Sequence, residues 1–200
     1  MESRTELAAR FAGLSQSLLG RRSKPVSFEL VARRAVEVVP GCRWAGISML
    51  DRGGRLSSVS ATDAVATRLA DLQQELGEGP CLDAARDRVD CISADLTAEV
   101  RWPAWAREAV ARGVGSVLCV PLHTETETLG ALNLFASEPH VFDTAALDIA
   151  AIYAIHAASA LEQAKLVSGL QSAMQSRHVI GIAQGVLAVR YDIAYDTAFE

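Results

Sequence analysis

"GSVLCVPLHTETETLGALNLFAS", residues 115–137, holds two β-rich apolar runs, 115–122 and 128–137, joined by the polar pentapeptide 123–127. Two runs of strand length around a short polar connection predict a β-hairpin. Upstream, "RWAGISML" (43–50) and "RLSSVSAT" (55–62) flank "DRGG", whose glycine pair tolerates positive φ, so a second hairpin is expected there. "VDCISA" (89–94) reads as a further strand. Helical stretches interrupt these strands. Antiparallel hairpins beside helices give an α+β class with helices on the faces of a central antiparallel sheet, not a doubly wound parallel sheet.

The helices follow from caps and breakers. Ser3 and Glu6 form a capping box before Leu7, Phe11, Leu14 and Leu18, and Gly20 ends this amphipathic first helix. "GRRSKP" links it to a helix from Ser27 to Val39, closed by Pro40-Gly41. Asp63 caps a helix carrying Val65, Leu69, Leu72 and Leu76; "GEGP" (77–80) breaks it before a short helical stretch, "CLDAARD". "WPAWAREAVARG" (102–113) opens with Pro103 in a first turn, where its missing N–H costs nothing, and closes with Gly113.

From Asp143 onward no proline occurs, and Ala-rich helical patterning continues to about Val189. At 1.5 Å per residue such a helix reaches roughly 70 Å, so it must pack on a partner or fold back. Leu166, Leu170, Ala173, Ile180 and Leu187 keep a 3.5-residue spacing that Arg177 and Gln184 interrupt, and Val179, Ile182, Val186 and Val189 form an adjoining seam. Two seams suit a helix buried on a wide face, as in a small bundle. The last residues, "YDIAYDTAFE", begin another helical spacing that needs outside support, because a helix below about 12 to 15 residues is marginal alone.

Composition narrows the function. The chain has 200 residues, 50% hydrophobic and 22% charged, which is ordinary for a globular protein. The net charge of −5 gives no overall electrostatic reason to bind nucleic acid or an anionic membrane, so any such binding is local. Residues 1–34 are basic, with seven Arg or Lys against three Glu, the usual composition of a solvated helix surface. No secretory pattern opens the chain, and the run "IAAIYAIHAASAL" is too short and polar to span a bilayer, so a cytoplasmic protein without a membrane partner is expected. Cys42, Cys81, Cys91 and Cys119 are widely spaced; no metal site or disulfide framework is expected, and most read as small buried hydrophobes.

"LQQELGEGPCLDAARD", "RWPAWA", "GVGSVLCVPL" and "LGALNLFA" occur in the order and at the intervals that resemble the GAF domain of actinobacterial GAF–ANTAR regulators. The resemblance implies a sensory GAF domain over 27–165, following an N-terminal helix and linker over 1–26. It also implies a pocket under one face of the sheet. "SRHVIGIAQGVLAVRYDIAYDTAFE" resembles the first half of an ANTAR domain, a three-helix RNA-binding module of transcription antiterminators, so 166–200 is expected to be a partial ANTAR bundle on a long helical stalk. Gln184 stands where that family commonly carries Lys, and Ala194 where a Ser or Thr caps the second helix.

The site residues implied are Cys81, Trp102 and Asn133 for a small-molecule ligand, and Arg177, Arg190, His178 and Gln184 for RNA. For Cys81 the sequence leaves two readings open, a ligand contact or reactive thiol and a packed residue behind a helix break. The tryptophans equally suit the core. His123, His140 and His156 have no spacing that would hold haem. Cys81, Cys91 and Cys119 bring to mind the free methionine sulfoxide reductases, a thiol-dependent GAF family, but that family's G-H-I-A-C stretch is missing, so no enzymatic activity is expected. The reading is a homodimeric regulator in which the GAF domain senses a small molecule or redox state and the ANTAR segment binds an RNA hairpin to control termination. The alternative is an RNA-inactive sensor or interaction protein that forms mixed dimers with a complete relative, and a minor alternative is a GAF-type thiol methionine sulfoxide reductase.

Overall fold

Ser27 opens the first helix of the computed structural model, which describes residues 26–191 apart from positions 52 and 126. The Ser27 Oγ accepts the backbone N–H of Leu30 at 3.2 Å, and α1 (Phe28–Val38) buries Val31, Ala32 and Ala35. The helix expected near residues 3–20 and the second ANTAR helix expected after residue 193 lie outside the described residues.

The two hairpins form as expected. β1 (Trp44–Leu50) and β2 (Leu56–Ala61) pair antiparallel around a turn in which Asp51 Oδ1 accepts from the N–H groups of Gly53 and Arg55 at 2.8 and 2.9 Å. Asp63 Oδ1 accepts from Val65 N–H at 2.8 Å and caps α2 (Ala64–Leu76), which Gly77 closes in the left-handed conformation. Next come α3 (Pro80–Asp87), the short β3 (Cys91–Ser93) and α4 (Pro103–Ala111). β4 (Ser116–His123) and β5 (Thr128–Ala136) make the second hairpin.

The five strands are ordered β2-β1-β5-β4-β3, antiparallel throughout. β5, the last of the five in chain order, therefore sits at the centre. Because side chains alternate across a strand, the sheet has two apolar faces. Ala45, Ile47, Leu118, Val120, Leu132 and Leu134 pack with α1 and the first part of the last helix, α5 (Thr144–Tyr191). Val117, Cys119, Ala131 and Phe135 pack with α2, α3 and α4. Tyr153 of α5 donates its hydroxyl to the Val31 carbonyl at 2.7 Å, which ties α5 to α1, and burial raises its pKa.

The chain divides into a unit ending at Leu161 and a second beginning at Glu162. Residues 166–191 continue α5 as one helix, so no three-helix bundle forms among the described residues. Its glycines do not break it: a mid-helix glycine costs only about 1 kcal/mol relative to alanine, and no proline intervenes. Within the second unit Leu166, Leu170, Met174, Ile180 and Ile182 are exposed, from 46% at Ile180 to 72% at Met174. Unlike the short apolar run read from the sequence, Thr144–Gln184 is long and apolar enough to cross a membrane, and half of its most apolar stretch is buried inside the protein.

Candidate functional site

Beneath the α2–α4 face of the sheet lies a buried polar cluster in an apolar surround. Asn133 on β5 is directly opposite Cys119 on β4 and Gly46 on β1, so all three share one face, and Ser48 stands two residues beyond Gly46 on that face. Cys119 Sγ donates to Asn133 Oδ1 at 3.0 Å, and Asn133 Nδ2 donates to Ser48 Oγ at 3.1 Å. The Cys81 thiol on α3 lies near the Ser48 and Asn133 side chains, which oppose the rise in its pKa. Its backbone N–H donates to Gln73 Oε1 at 2.6 Å. Gln73 is 2% exposed, and its Nε2 is a buried donor without a partner. Such a group costs about 1–3 kcal/mol if left unsatisfied.

The thiols here are held in the neutral form. Burial raises Cys81 above its ordinary range against the opposing hydrogen bonds of Ser48 and Asn133. Burial also raises Cys119 well above 9.0, reinforced by Cys81, Cys91 and Asp83 nearby. Cys91 is pushed up to about 11, chiefly by burial and by Asp83. Thiols of this kind hydrogen-bond at neutral pH and react only slowly as nucleophiles. Among the described residues, no group of three or more His, Cys, Asp or Glu side chains could hold a metal ion.

The "GEGP" segment builds the wall. Gly79 has φ 145°, and a side chain there would overlap Gln73, so the turn needs glycine to seat that amide. Glu78 reaches the start of α4, where its Oε1 accepts the N–H groups of Ala104 and Trp105 at 2.7 and 2.8 Å. Trp102 Nε1 donates to Asp83 Oδ2 at 2.7 Å, and the Arg101 guanidinium lies 4.2 Å from the centre of the Trp102 ring. Arg101 also pairs with Glu99 at 2.7 Å and donates to the Ile92 carbonyl at 2.6 Å.

Of the three expected ligand residues, Cys81 and Asn133 thus lie close together under this face of the sheet. Trp102 is 2% exposed, and its polar atom is committed to Asp83 instead. The sequence reading missed Ser48, Gln73 and the role of Cys119. Alternation along β1 and the helical interval from Leu69 to Gln73 were the signals available. In the second unit Arg177, His178 and Arg190 are exposed and Gln184 is partly buried. Arg177 and Gln184 lie about two turns apart on one face of α5, whereas Arg190 points well round the helix from both.

The sequence profile of the GAF domain family matches residues 26–162. The chain belongs to the GAF domain family. Its GAF fold is similar to the GAF domain of a phosphoenolpyruvate-protein phosphotransferase from Coxiella burnetii, at TM-score 0.64 and 18% identity, covering 84% of this chain and 99% of that one. It is also similar to a domain of a two-component sensor histidine kinase protein from Sinorhizobium meliloti 1021, at TM-score 0.53 and 15% identity over 86% and 99% of the two chains. A third similar structure is the type II free methionine-R-sulfoxide reductase from Thermoplasma acidophilum, at TM-score 0.54 and 18% identity over 75% and 96%. At these identities the likeness is one of fold. Comparison with curated protein sequences finds no significant match. The GAF assignment supports a sensory, signal-transducing role.

Proposed function

We propose that this GAF protein is a cytoplasmic, homodimeric regulator that senses a small molecule or redox state and delivers the signal to an ANTAR-type segment binding an RNA hairpin to control transcription termination. The observation that carries this reading is the course of α5: it begins among core residues such as Ala146, Ala150 and Tyr153 and continues unbroken into the segment bearing Arg177 and Arg190. A ligand shifts such a helix only if it binds two arrangements with different affinity. The unpartnered Gln73 amide, whose Oε1 accepts the Cys81 N–H, supports a small ligand with a hydrogen-bond acceptor, with Cys81, Trp102 and Asn133 as its expected contacts. The elevated thiol pKa values weigh against thiol catalysis.

The exposed apolar side chains of 166–187 support pairing between two copies, since an apolar stripe left in water seeks a partner. They equally favour a second reading, an RNA-inactive chain that forms mixed dimers with a relative. A mobility-shift titration of the full chain against a two-hairpin RNA, at low and moderate salt, tests the proposal. Salt-sensitive binding weakened by Arg177→Ala supports it, and no binding at low salt leaves the mixed-dimer reading.

A further inference from the structure

Cys91 and Cys119 are directly opposed partners on adjacent strands. β3 pairs antiparallel with β4 in a register that sets Cys91 directly opposite Cys119, and both side chains lie in the apolar cluster beneath α2–α4. Directly opposed antiparallel residues have Cα atoms roughly 4.5 to 5.5 Å apart. A disulfide spans about 4.4 to 6.8 Å. Neither is in a disulfide; Cys119 Sγ donates to Asn133 Oδ1 and Cys91 Sγ to the Val89 carbonyl, so bridging requires both thiols to turn from these acceptors. Cys42 belongs to the other face, and Cys81 sits on α3 with its backbone held by Gln73.

We propose that Cys91 and Cys119 form a redox pair that a hydroperoxide converts into a cross-strand disulfide. The Cys91 sulfur attacks the peroxide, the O–O bond breaks, and Cys91 becomes a sulfenic acid while the peroxide's other oxygen leaves with the Cys91 proton as water or alcohol. The Cys119 sulfur then attacks the Cys91 sulfur; the S–O bond breaks, and hydroxide leaves with the Cys119 proton as water. Two thiols have lost two electrons, and the peroxide has gained them. This gives the redox branch of the sensory reading a specific site and rests on that reading for its use in signalling.

The order of the two steps follows from position. Cys91 lies on a three-residue edge strand and directly follows the exposed residues 86–90, so fraying of that edge admits the oxidant. Cys119 is wholly buried on the neighbouring strand and serves as the resolving thiol. Burial keeps Cys91 protonated, which makes the pair slow to respond to mild oxidant. Thiols this weakly acidic are also poor leaving groups, so the bridge is slow to reverse once formed.

The test treats the full chain with hydrogen peroxide, unfolds it in alkylating agent and maps the peptides without reduction. The expected result is a Cys91–Cys119 linked peptide, lighter by two hydrogens and cleaved by dithiothreitol, with Cys42 and Cys81 alkylated. Cys81→Ser should keep the link, and Cys91→Ser should lose it. A bridge to Cys81, a Cys91 sulfinic acid with no bridge, or four alkylated thiols after methionine oxidation would each overturn the inference. The wild-type peptide map decides even if a serine variant fails to fold. Bridge formation is read by mass and RNA binding by mobility shift, so failure of the bridge leaves the small-molecule branch standing, and failure of RNA binding leaves the bridge standing.

Discussion

The Glu78 carboxylate accepts the backbone N–H of Trp105 at 2.8 Å, reaching α4 from the turn between α2 and α3. α4 has no side-chain cap of its own, since Trp102 occupies that position and Pro103 follows it. A carboxylate at a helix N-terminus satisfies orphan donors and meets the positive end of the dipole. Glu78→Ala should therefore lower stability by about 1–2 kcal/mol, and Glu78→Gln, which keeps an acceptor, by less. Urea unfolding monitored by tryptophan fluorescence checks both; an alanine variant with an unchanged midpoint would mean that another group caps α4.

Gly79→Ala should destabilise by about 2 kcal/mol or more, because an L-residue is strained at φ 145° and the new Cβ overlaps Gln73. Trimming the amide in Gln73→Ala removes the overlap but also the acceptor for the Cys81 N–H. The double variant should then be less damaged than the sum of the two single variants. Strict additivity in a double-mutant cycle would show that the turn and the amide are independent.

Glu99 sets an acid limit. Hydrogen bonding from Arg101 holds its carboxyl down at about 2, against an ordinary 4.5, although burial pushes the other way. A carboxyl depressed in the folded state stabilises above its unfolded pKa and loses that contribution as pH falls toward the folded value. Stability should thus decline between about pH 4.5 and pH 2, by on the order of 2 kcal/mol once screening at the half-exposed Arg101 is allowed for. Glu99→Gln should be less stable at neutral pH and show a flatter decline; denaturant midpoints across that range measure it.

If residues 166–200 grip RNA by its phosphates, Arg177→Ala should weaken binding to all hairpins alike and reduce the salt slope by about one. A loss confined to one hairpin sequence would point to base contact instead. Mobility shifts at three salt concentrations distinguish these outcomes.

Element positions were legible because their signals are local. Ser27 and Asp63 cap their helices through hydrogen bonds within three residues, and Pro103 opens α4. Both hairpins follow from polar turns between apolar runs. The site was only half legible: Cys81 and Asn133 meet as part of one cluster, but Ser48 and Gln73 look like ordinary polar positions until their neighbours are known. The seams at 166–189 were also visible, yet periodicity cannot say what covers them.

By itself the sequence determined which segments become helices and strands, and which side chains share a face, since caps, turns and alternation act over a few residues. Tertiary structure decided the rest. It set β5 between β1 and β4, placed Glu78 on α4, brought Asn133 to Ser48 across 85 positions of chain, and put Cys91 opposite Cys119. Such pairings close long loops, and their entropic cost is met only when the sheet and both its faces assemble together.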